Sequence, residues 1–279
     1  MIFRDFFRLD KFARQRKQAL SHRRLRMESL ERRNLLATFL VTTTVDENDV
    51  APAVGTGLSL REAIGLANTA TGADIINFDP VVFVGSHEIL LSNGELNIAE
   101  TLTINGQGNV TINAQGNSRV MRFSGLSGNL SLSGLTITGG KTTARDDSGG
   151  GVRFESNGTL SLSRSTLSGN RTTGMLARGG GIYAGSGAVT LTSSTLSGNS
   201  TTAFGARGGS IYAGSGNVNL ISSTLSGNRT TGFGAGGGGI YARFGNVTLT
   251  SSTLSDNSTA DDFAFGGGIL AQSGNVRLS

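Results

Sequence analysis

The stretch IYAGSGAVTLTSSTLSGN at residues 182–199 returns as IYAGSGNVNLISSTLSGN at 211–228 and as IYARFGNVTLTSSTLSDN at 240–257. The copies lie 29 residues apart with no insertion between them. A fixed period of this size is typical of a solenoid, in which each repeat buries its apolar face only against its neighbours. The period predicts two columns, namely Ile182, Ile211, Ile240 and Ile269, and Asn170, Asn199, Asn228 and Asn257.

Short strands are the local structure that one repeat predicts. Its apolar residues alternate with polar ones over 182–184, 189–191 and 195–197, separated by Gly, Ser or Asn. No repeat holds the helical periodicity that ankyrin, tetratricopeptide or helical leucine-rich repeats require. We therefore expect an all-β fold, a right-handed single-stranded parallel β-helix over residues 88–279, with three strands per coil and coils about 4.8 Å apart.

The asparagine column has two interpretations. Asparagine tolerates the left-handed conformation at a sharp corner, and stacked carboxamides can hydrogen-bond from coil to coil as a ladder. Each of these asparagines also begins an Asn-X-Ser/Thr glycosylation sequon. A repeat rich in Ser, Thr and Asn generates sequons by composition alone, so we interpret the column as a structural ladder.

The repeats differ most between the asparagine and the following glycine cluster, at residues 171–178, 201–207, 229–235 and 258–265. Loops on one side of a solenoid form a continuous patch, so this is the predicted interaction surface. Its charged candidates are Arg171, Arg178, Arg207, Arg229, Asp261 and Asp262. We expect Arg178 and Arg207 to be solvated.

Composition and charge narrow the function classes. The chain of 279 residues has 43 Gly, 2 Pro and no Cys, so glycine and asparagine make the turns and disulfide or thiolate chemistry is excluded. The formal charge of +5 comes from residues 1–38, which hold eleven Lys or Arg against four acids. Residues 39–279 carry a net charge of −2, which argues against nucleic-acid binding by the folded body.

Residues 1–38 form a basic leader. Phe3, Phe6, Phe7, Leu9 and Phe12 have near-helical spacing, so the leader is either a basic amphipathic helix or a disordered basic tail. No run of about 20 apolar residues is present, so no transmembrane span is expected. The sequence LERRNLL at 30–36 resembles the LEPR-XLL leader of large exported bacterial proteins, with Arg32 in the proline position. The resemblance implies export to the cell surface, the outer membrane or the medium.

Residues 39–87 form the predicted capping segment. Phe39–Thr44 and Asp74–Phe78 indicate strands, while Ser59 and Glu62 form a capping box that starts an amphipathic helix. This helix can cover the apolar end of the stack. VTTTVD at 41–46, LSLREAI at 58–64 and Ala67-Asn68 together resemble the CSLREA domain of bacterial surface proteins, with Leu58 in the cysteine position. That resemblance implies a following pectin-lyase-like β-helix.

The coils offer no catalytic, metal or cofactor constellation, so none is predicted. A lyase on this fold needs several carboxylates around Ca²⁺ with an Arg or Lys base, and a hydrolase needs paired carboxylates. The only acidic doublets, Asp146-Asp147 and Asp261-Asp262, are about four coils apart, which is about 19 Å, so we expect solvated loop charges. His22 and His87 precede the coils, and no glycine turn carries the aspartate of a calcium-binding nonapeptide.

Two functions remain. The first is an exported, non-catalytic surface or adhesin-like binding protein, similar to polymorphic outer-membrane repeat proteins, with an extracellular polysaccharide or another surface protein as partner. The alternative is a polysaccharide lyase or glycoside hydrolase of the same fold, which rests on fold analogy. Residues 275–279 match 246–250, so the chain stops within a coil, and we expect either a truncated family member or end-to-end self-association.

Overall fold

The capping segment begins with a strand and one helix. A computed structural model describes residues 36–49 and 55–279, so the leader predictions up to residue 35 lie outside the described residues. Strand β1 (Thr38–Val41) precedes helix α1 (Leu60–Thr69), and β2 (Asp74–Phe78) follows. The Ser59 hydroxyl accepts from the Glu62 amide while the Glu62 carboxylate accepts from the Ser59 amide. The predicted capping box and helix are confirmed.

Twenty-four further strands make up the coils. In the first coils they are β3 (His87–Leu90), β4 (Leu96–Ile98), β5 (Leu102–Asn113), β6 (Met121–Phe123), β7 (Leu130–Thr138), β8 (Lys141–Thr142), β9 (Val152–Phe154), β10 (Thr159–Ser163), β11 (Thr166–Ser168) and β12 (Arg171–Thr172). In the regular coils they are β13 (Ile182–Ala184), β14 (Ala188–Thr192), β15 (Thr195–Ser197), β16 (Ser200–Thr202), β17 (Ile211–Ala213), β18 (Val218–Ile221), β19 (Thr224–Ser226), β20 (Arg229–Thr231), β21 (Ile240–Ala242), β22 (Val247–Thr250), β23 (Thr253–Ser255), β24 (Ser258–Ala260), β25 (Ile269–Ala271) and β26 (Val276–Leu278).

Three parallel sheets run along the stack. The first has the order β4, β6, β9, β13, β17, β21, β25, so the described chain makes seven coils. The second has the order β8, β12, β16, β20, β24, and the third contains the other fourteen strands. The prediction of an all-β parallel solenoid is confirmed.

The register shows how the repeat stacks. Ile182 pairs with Ile211, Ile211 with Ile240, and Ile240 with Ile269. Leu196 likewise pairs with Leu225 in the next coil. Identical side chains therefore lie over one another, and the buried members of these columns form one continuous apolar core.

Each regular coil contains four strands, so the prediction of three was wrong. The missed strand follows the asparagine, as at Ser200–Thr202, and it builds the five-stranded second sheet. The second and third predicted strands belong to one sheet, because the long strand β7 pairs with both β10 and β11. The glycine cluster then closes the coil. Gly179 has a φ of 65°, and a Cβ there would clash with the carbonyl oxygen of Ile182.

The helix packs on the first strands of the stack. Leu60, Ala63, Ile64 and Ala67 are buried in the common core, and α1 contacts β1, β2 and β4. Strand β2 pairs with β5, so the third sheet is continuous across the predicted segment boundary at residue 87. Within the part of the chain that the structure describes, no helix is long and apolar enough to cross a bilayer.

Candidate functional site

The predicted interaction patch is only partly made of loops. Arg171 and Arg229 lie in the second sheet, where both are exposed and point away from the buried threonines beside them. Their column on this sheet reads Lys141, Arg171, Ser200, Arg229 and Ser258. Placing Arg171 and Arg229 in loops was wrong, because these residues pair with neighbouring coils.

Arg178 and Arg207 occupy equivalent positions in adjacent coils and form a parallel backbone bridge. The Arg178 guanidinium carbon lies 5.2 Å from the ring centroid of Tyr212, and that of Arg207 lies 5.0 Å from the ring of Tyr241. Both arginines are half-buried against these rings, so the expectation that they are solvated holds for only one side of each guanidinium group. Cation–π contacts of this length hold the guanidinium groups against the first sheet.

The tyrosines form a stacked ladder that was not among the predicted features. Neighbouring rings from Tyr183 to Tyr241 lie 5.4 Å apart and nearly parallel. The arginines cover the outer side of this ladder, leaving Tyr212 only 2% and Tyr241 only 4% exposed. The 29-residue period of Tyr183, Tyr212 and Tyr241 was visible in the sequence, but it does not show which loop residues fold over the rings.

Exposed phenylalanines form a second missed feature, the phenylalanine stripe of Phe204, Phe233 and Phe263. The rings of Phe204 and Phe233 stack at 5.7 Å with an angle of 4°, and both are just over half exposed. Phe263 is tilted by 59° against Phe233. Stacking occupies the facing surfaces of Phe204 and Phe233. Contiguous exposed apolar side chains often mark an interaction surface.

The asparagine column forms a buried hydrogen-bond ladder. Asn199 Nδ2 donates to Leu167 O at 2.9 Å and to Asn228 Oδ1 at 3.1 Å. Its Oδ1 accepts from the backbone amide and from Nδ2 of Asn170, both at 3.1 Å. Asn170, Asn199 and Asn228 are fully buried. In the folded chain a glycosylating enzyme has no access to these three carboxamides, and all four hydrogen-bonding positions of Asn199 are used.

An ion-pair network crosses the first coils. The buried Arg119 donates to the carboxylates of Glu95 and Asp147, which come from the coils on either side. Arg153 also pairs with Asp147 at 3.3 Å. The expectation that Asp147 is a solvated loop charge was therefore wrong, whereas Asp146 is exposed beside Arg145.

Glu155 extends this network. Burial opposes ionisation of its carboxyl group, but the hydrogen bond from Arg122 and the nearby charge of Arg153 outweigh burial. The pKa of Glu155 is therefore held below its ordinary value. The network fastens neighbouring coils to each other through charged groups as well as through backbone pairing.

A second network fastens the capping segment to the first coil. Asp46 accepts from Arg61 Nε at 2.8 Å and from the backbone amides of Ser92 and Asn93. Arg61 in turn donates to the carbonyl oxygen of Gly94. Burial opposes ionisation of Asp46, but the hydrogen bonds from Arg61 and the two amides outweigh it, so the pKa of Asp46 lies below its ordinary value.

A cleft of about 250 Å³ lies beside the first network, lined in part by Glu95, Ser118, Arg119, Lys141 and Asp147. Both carboxylates pair with Arg119, and Asp147 also pairs with Arg153, so two guanidinium groups of the protein balance the two negative charges. Across residues 36–49 and 55–279, no three His, Cys, Asp or Glu side chains come together as a metal site.

Charge is distributed unevenly along the folded body. Residues 39–100 hold one arginine and nine acids, a net charge of −8, whereas residues 101–279 hold twelve basic and six acidic residues, a net charge of +6. Residues 156–255 contain six arginines and no acid. The net charge of −2 for residues 39–279 therefore conceals a basic middle section. The argument against nucleic-acid binding that was drawn from this net charge was incomplete.

No protein-family model matches the chain, and no curated protein matches its sequence. The class that the structure defines is a parallel β-solenoid built from β-helix repeats. The leader and CSLREA resemblances remain sequence-based predictions, as does end-to-end association.

Proposed function

We propose that the protein is an exported, non-catalytic surface protein that uses its β-solenoid as an adhesin-like binding scaffold. The observation that carries this proposal is that arginine and phenylalanine side chains of different coils lie in columns along the stack, with a constant spacing from coil to coil. Arg171 and Arg229 lie on one sheet, and Arg178, Arg207 and the phenylalanine stripe occupy the adjoining turns. Such a surface suits an extended partner that is contacted several times.

Multivalent contact gives this arrangement its advantage. A single exposed arginine or phenylalanine by itself binds a partner weakly. When several such contacts are joined on a rigid support, the later contacts form at high effective concentration, and overall affinity increases. A stack of paired coils provides that rigidity, and the asparagine ladder strengthens it.

For the enzyme alternative, the candidate place is the cleft beside the first ion-pair network. The cleft between Glu95, Lys141 and Asp147 contains two carboxylates and a lysine. A hydrolase would need one carboxyl group as proton donor, but both carboxylates here accept hydrogen bonds from Arg119. This arrangement favours a structural function for the pair.

Two measurements test the proposal. The full chain, fused at its C-terminus to a reporter enzyme that is active only outside the cytoplasm, should give reporter activity and be accessible to protease on intact cells. The purified chain should bind its partner polysaccharide or surface protein without shortening it. A chain retained in the cytoplasm would contradict export, and release of new sugar ends that disappears in Glu95→Gln would establish the enzyme alternative.

A further inference from the structure

We propose that Arg178 and Arg207 form an anion-binding site that recognises an acidic polysaccharide, with Arg171 and Arg229 making further contacts on the adjoining sheet. This inference rests on the proposed binding function and names the chemistry of the partner. It starts from the pairing of two like charges in adjacent coils.

The two guanidinium groups are close and lack a counter-charge. Their residues pair through the backbone, which places the two backbones about 4.8 Å apart along the axis, and the guanidinium groups lie over rings whose centroids are 5.4 Å apart. Among the described residues neither takes part in an ion pair, whereas Arg119, Arg122 and Arg153 all do. Two adjacent cations repel each other, so an anion that bridges them is attracted to both.

The tyrosine ladder positions the pair. Arg178 lies against Tyr212 and Arg207 against Tyr241, and these rings stack on each other. The arginine side chains are therefore partly ordered before a ligand arrives, so less conformational entropy is lost on binding. A guanidinium group can also donate two parallel hydrogen bonds to one carboxylate or sulfate.

The surrounding charge extends the site along the stack. Residues 156–255 hold six arginines and no acid, so nothing within this part of the sequence neutralises the pair. Arg171 and Arg229 are exposed two coils apart in the second sheet. A polymer that carries a negative charge on successive units can therefore meet several arginines at once.

The shape of the surface favours a polysaccharide over a nucleic acid. Single-stranded nucleic acids bind by base stacking on free aromatic faces, and the rings beside the arginine pair are not free, because Arg178 covers Tyr212 and Arg207 covers Tyr241. The sequence of a duplex is read by a helix or a two-stranded ribbon in the major groove, and the one helix among the described residues, Leu60–Thr69, lies in the capping segment and not beside the arginine pair.

The test uses the purified full chain and four probes: polygalacturonate as a carboxylated polymer, heparin as a sulfated polymer, dextran as a neutral polymer, and duplex DNA. We expect binding to polygalacturonate or heparin that weakens as salt rises, with dextran not retained. Whichever of the two binds more tightly identifies carboxylate or sulfate as the recognised group. DNA binding as tight as that of both acidic polysaccharides would overturn the inference.

Two double variants that each remove two positive charges distinguish binding at the Arg178–Arg207 site from non-specific attraction to the basic surface. R178Q/R207Q should lower affinity for the acidic polymer by at least about tenfold, because two charge-assisted contacts are lost. R164Q/R243Q removes two arginines at other corners of the coil and should change affinity much less. R178K/R207K keeps the charge and should restore part of the affinity.

Circular dichroism first establishes that each variant retains the wild-type fold. Equal losses in R178Q/R207Q and R164Q/R243Q would overturn the site. Binding to dextran or to a protein that is unchanged in R178Q/R207Q would also overturn it, while leaving the binding scaffold in place. Export is measured separately, so the two proposals can fail independently.

Discussion

Replacing Asn199 by alanine tests the asparagine ladder most sharply. The side chain makes four hydrogen bonds inside the core, two as donor and two as acceptor, and it is fully buried. At about 1 kcal/mol for each lost bond, N199A should lower the free energy of unfolding by about 4 kcal/mol. All four bonds join Asn199 to neighbouring coils, because their partners are Leu167 and Asn170 on one side and Asn228 on the other.

The matched control is Asn246→Ala. Asn246 is exposed, and its Oδ1 accepts one hydrogen bond, from the Asn275 amide at 2.9 Å. Its loss should cost no more than about 1 kcal/mol. Equilibrium urea denaturation of the wild type, N199A and N246A, followed by circular dichroism, measures both values. If N199A unfolds at the same urea concentration as N246A, the ladder does not stabilise the coils and the reasoning fails.

Three further predictions concern stability. Ser210 is fully buried, its hydroxyl has no hydrogen-bond partner, and the neighbouring coils have glycine at this position. Ser210→Gly should therefore raise the free energy of unfolding by about 1 kcal/mol. A lower thermal midpoint of the variant would contradict this. Ser193 has a φ of 49° at an exposed corner, a conformation that glycine adopts more easily. Ser193→Gly should therefore raise the free energy of unfolding by about 0.5 kcal/mol in the same assay. A lower free energy of unfolding would show that the corner is not strained. The lowered pKa of Asp46 stabilises the fold above about pH 4, and this stabilisation is lost as pH falls through the folded-state pKa. Between about pH 6 and pH 3, the free energy of unfolding should therefore fall less for Asp46→Asn than for the wild type. If the free energies of unfolding of the two proteins fall in parallel with pH, the Asp46 carboxylate does not stabilise the fold.

The repeat could be predicted because identical residues recur in the coils. Ile182 and Ile211 stand 29 residues apart and pair in the structure. Ser59 and Glu62 predict the helix start for a similar local reason. In these cases the determining residues are either identical from coil to coil or only three positions apart.

The fourth strand escaped prediction because its inward residue is polar. In Ser200–Thr202 the buried side chain is Thr201, whose hydroxyl donates to Gly208 O at 2.9 Å. An alternation of apolar and polar residues is therefore missing, although Thr201 and Thr230 keep the 29-residue period. That period was the available signal, and it indicates stacking even where hydrophobicity does not.

The contacts of charged side chains could not be predicted for a different reason. Arg119 meets Glu95 and Asp147 across coils that are not yet regular, so no period aligns the three residues. Arg178 and Arg207 do keep the period, but whether a long side chain extends into solvent or lies over Tyr212 depends on the path of the preceding turn. Net charge over the whole body likewise concealed the arginines of residues 156–255.

Distances along the threonine column test the stacked architecture most directly. Thr111, Thr136, Thr166, Thr195, Thr224 and Thr253 pair in succession on the third sheet. The chain has no cysteine of its own, so spin labels can be placed at Thr253 and at one other member of the column. Electron paramagnetic resonance should give separations of about 14, 19 and 24 Å for Thr166, Thr136 and Thr111, an increase of about 4.8 Å per coil. Separations that do not increase by a constant step with coil number would contradict the solenoid.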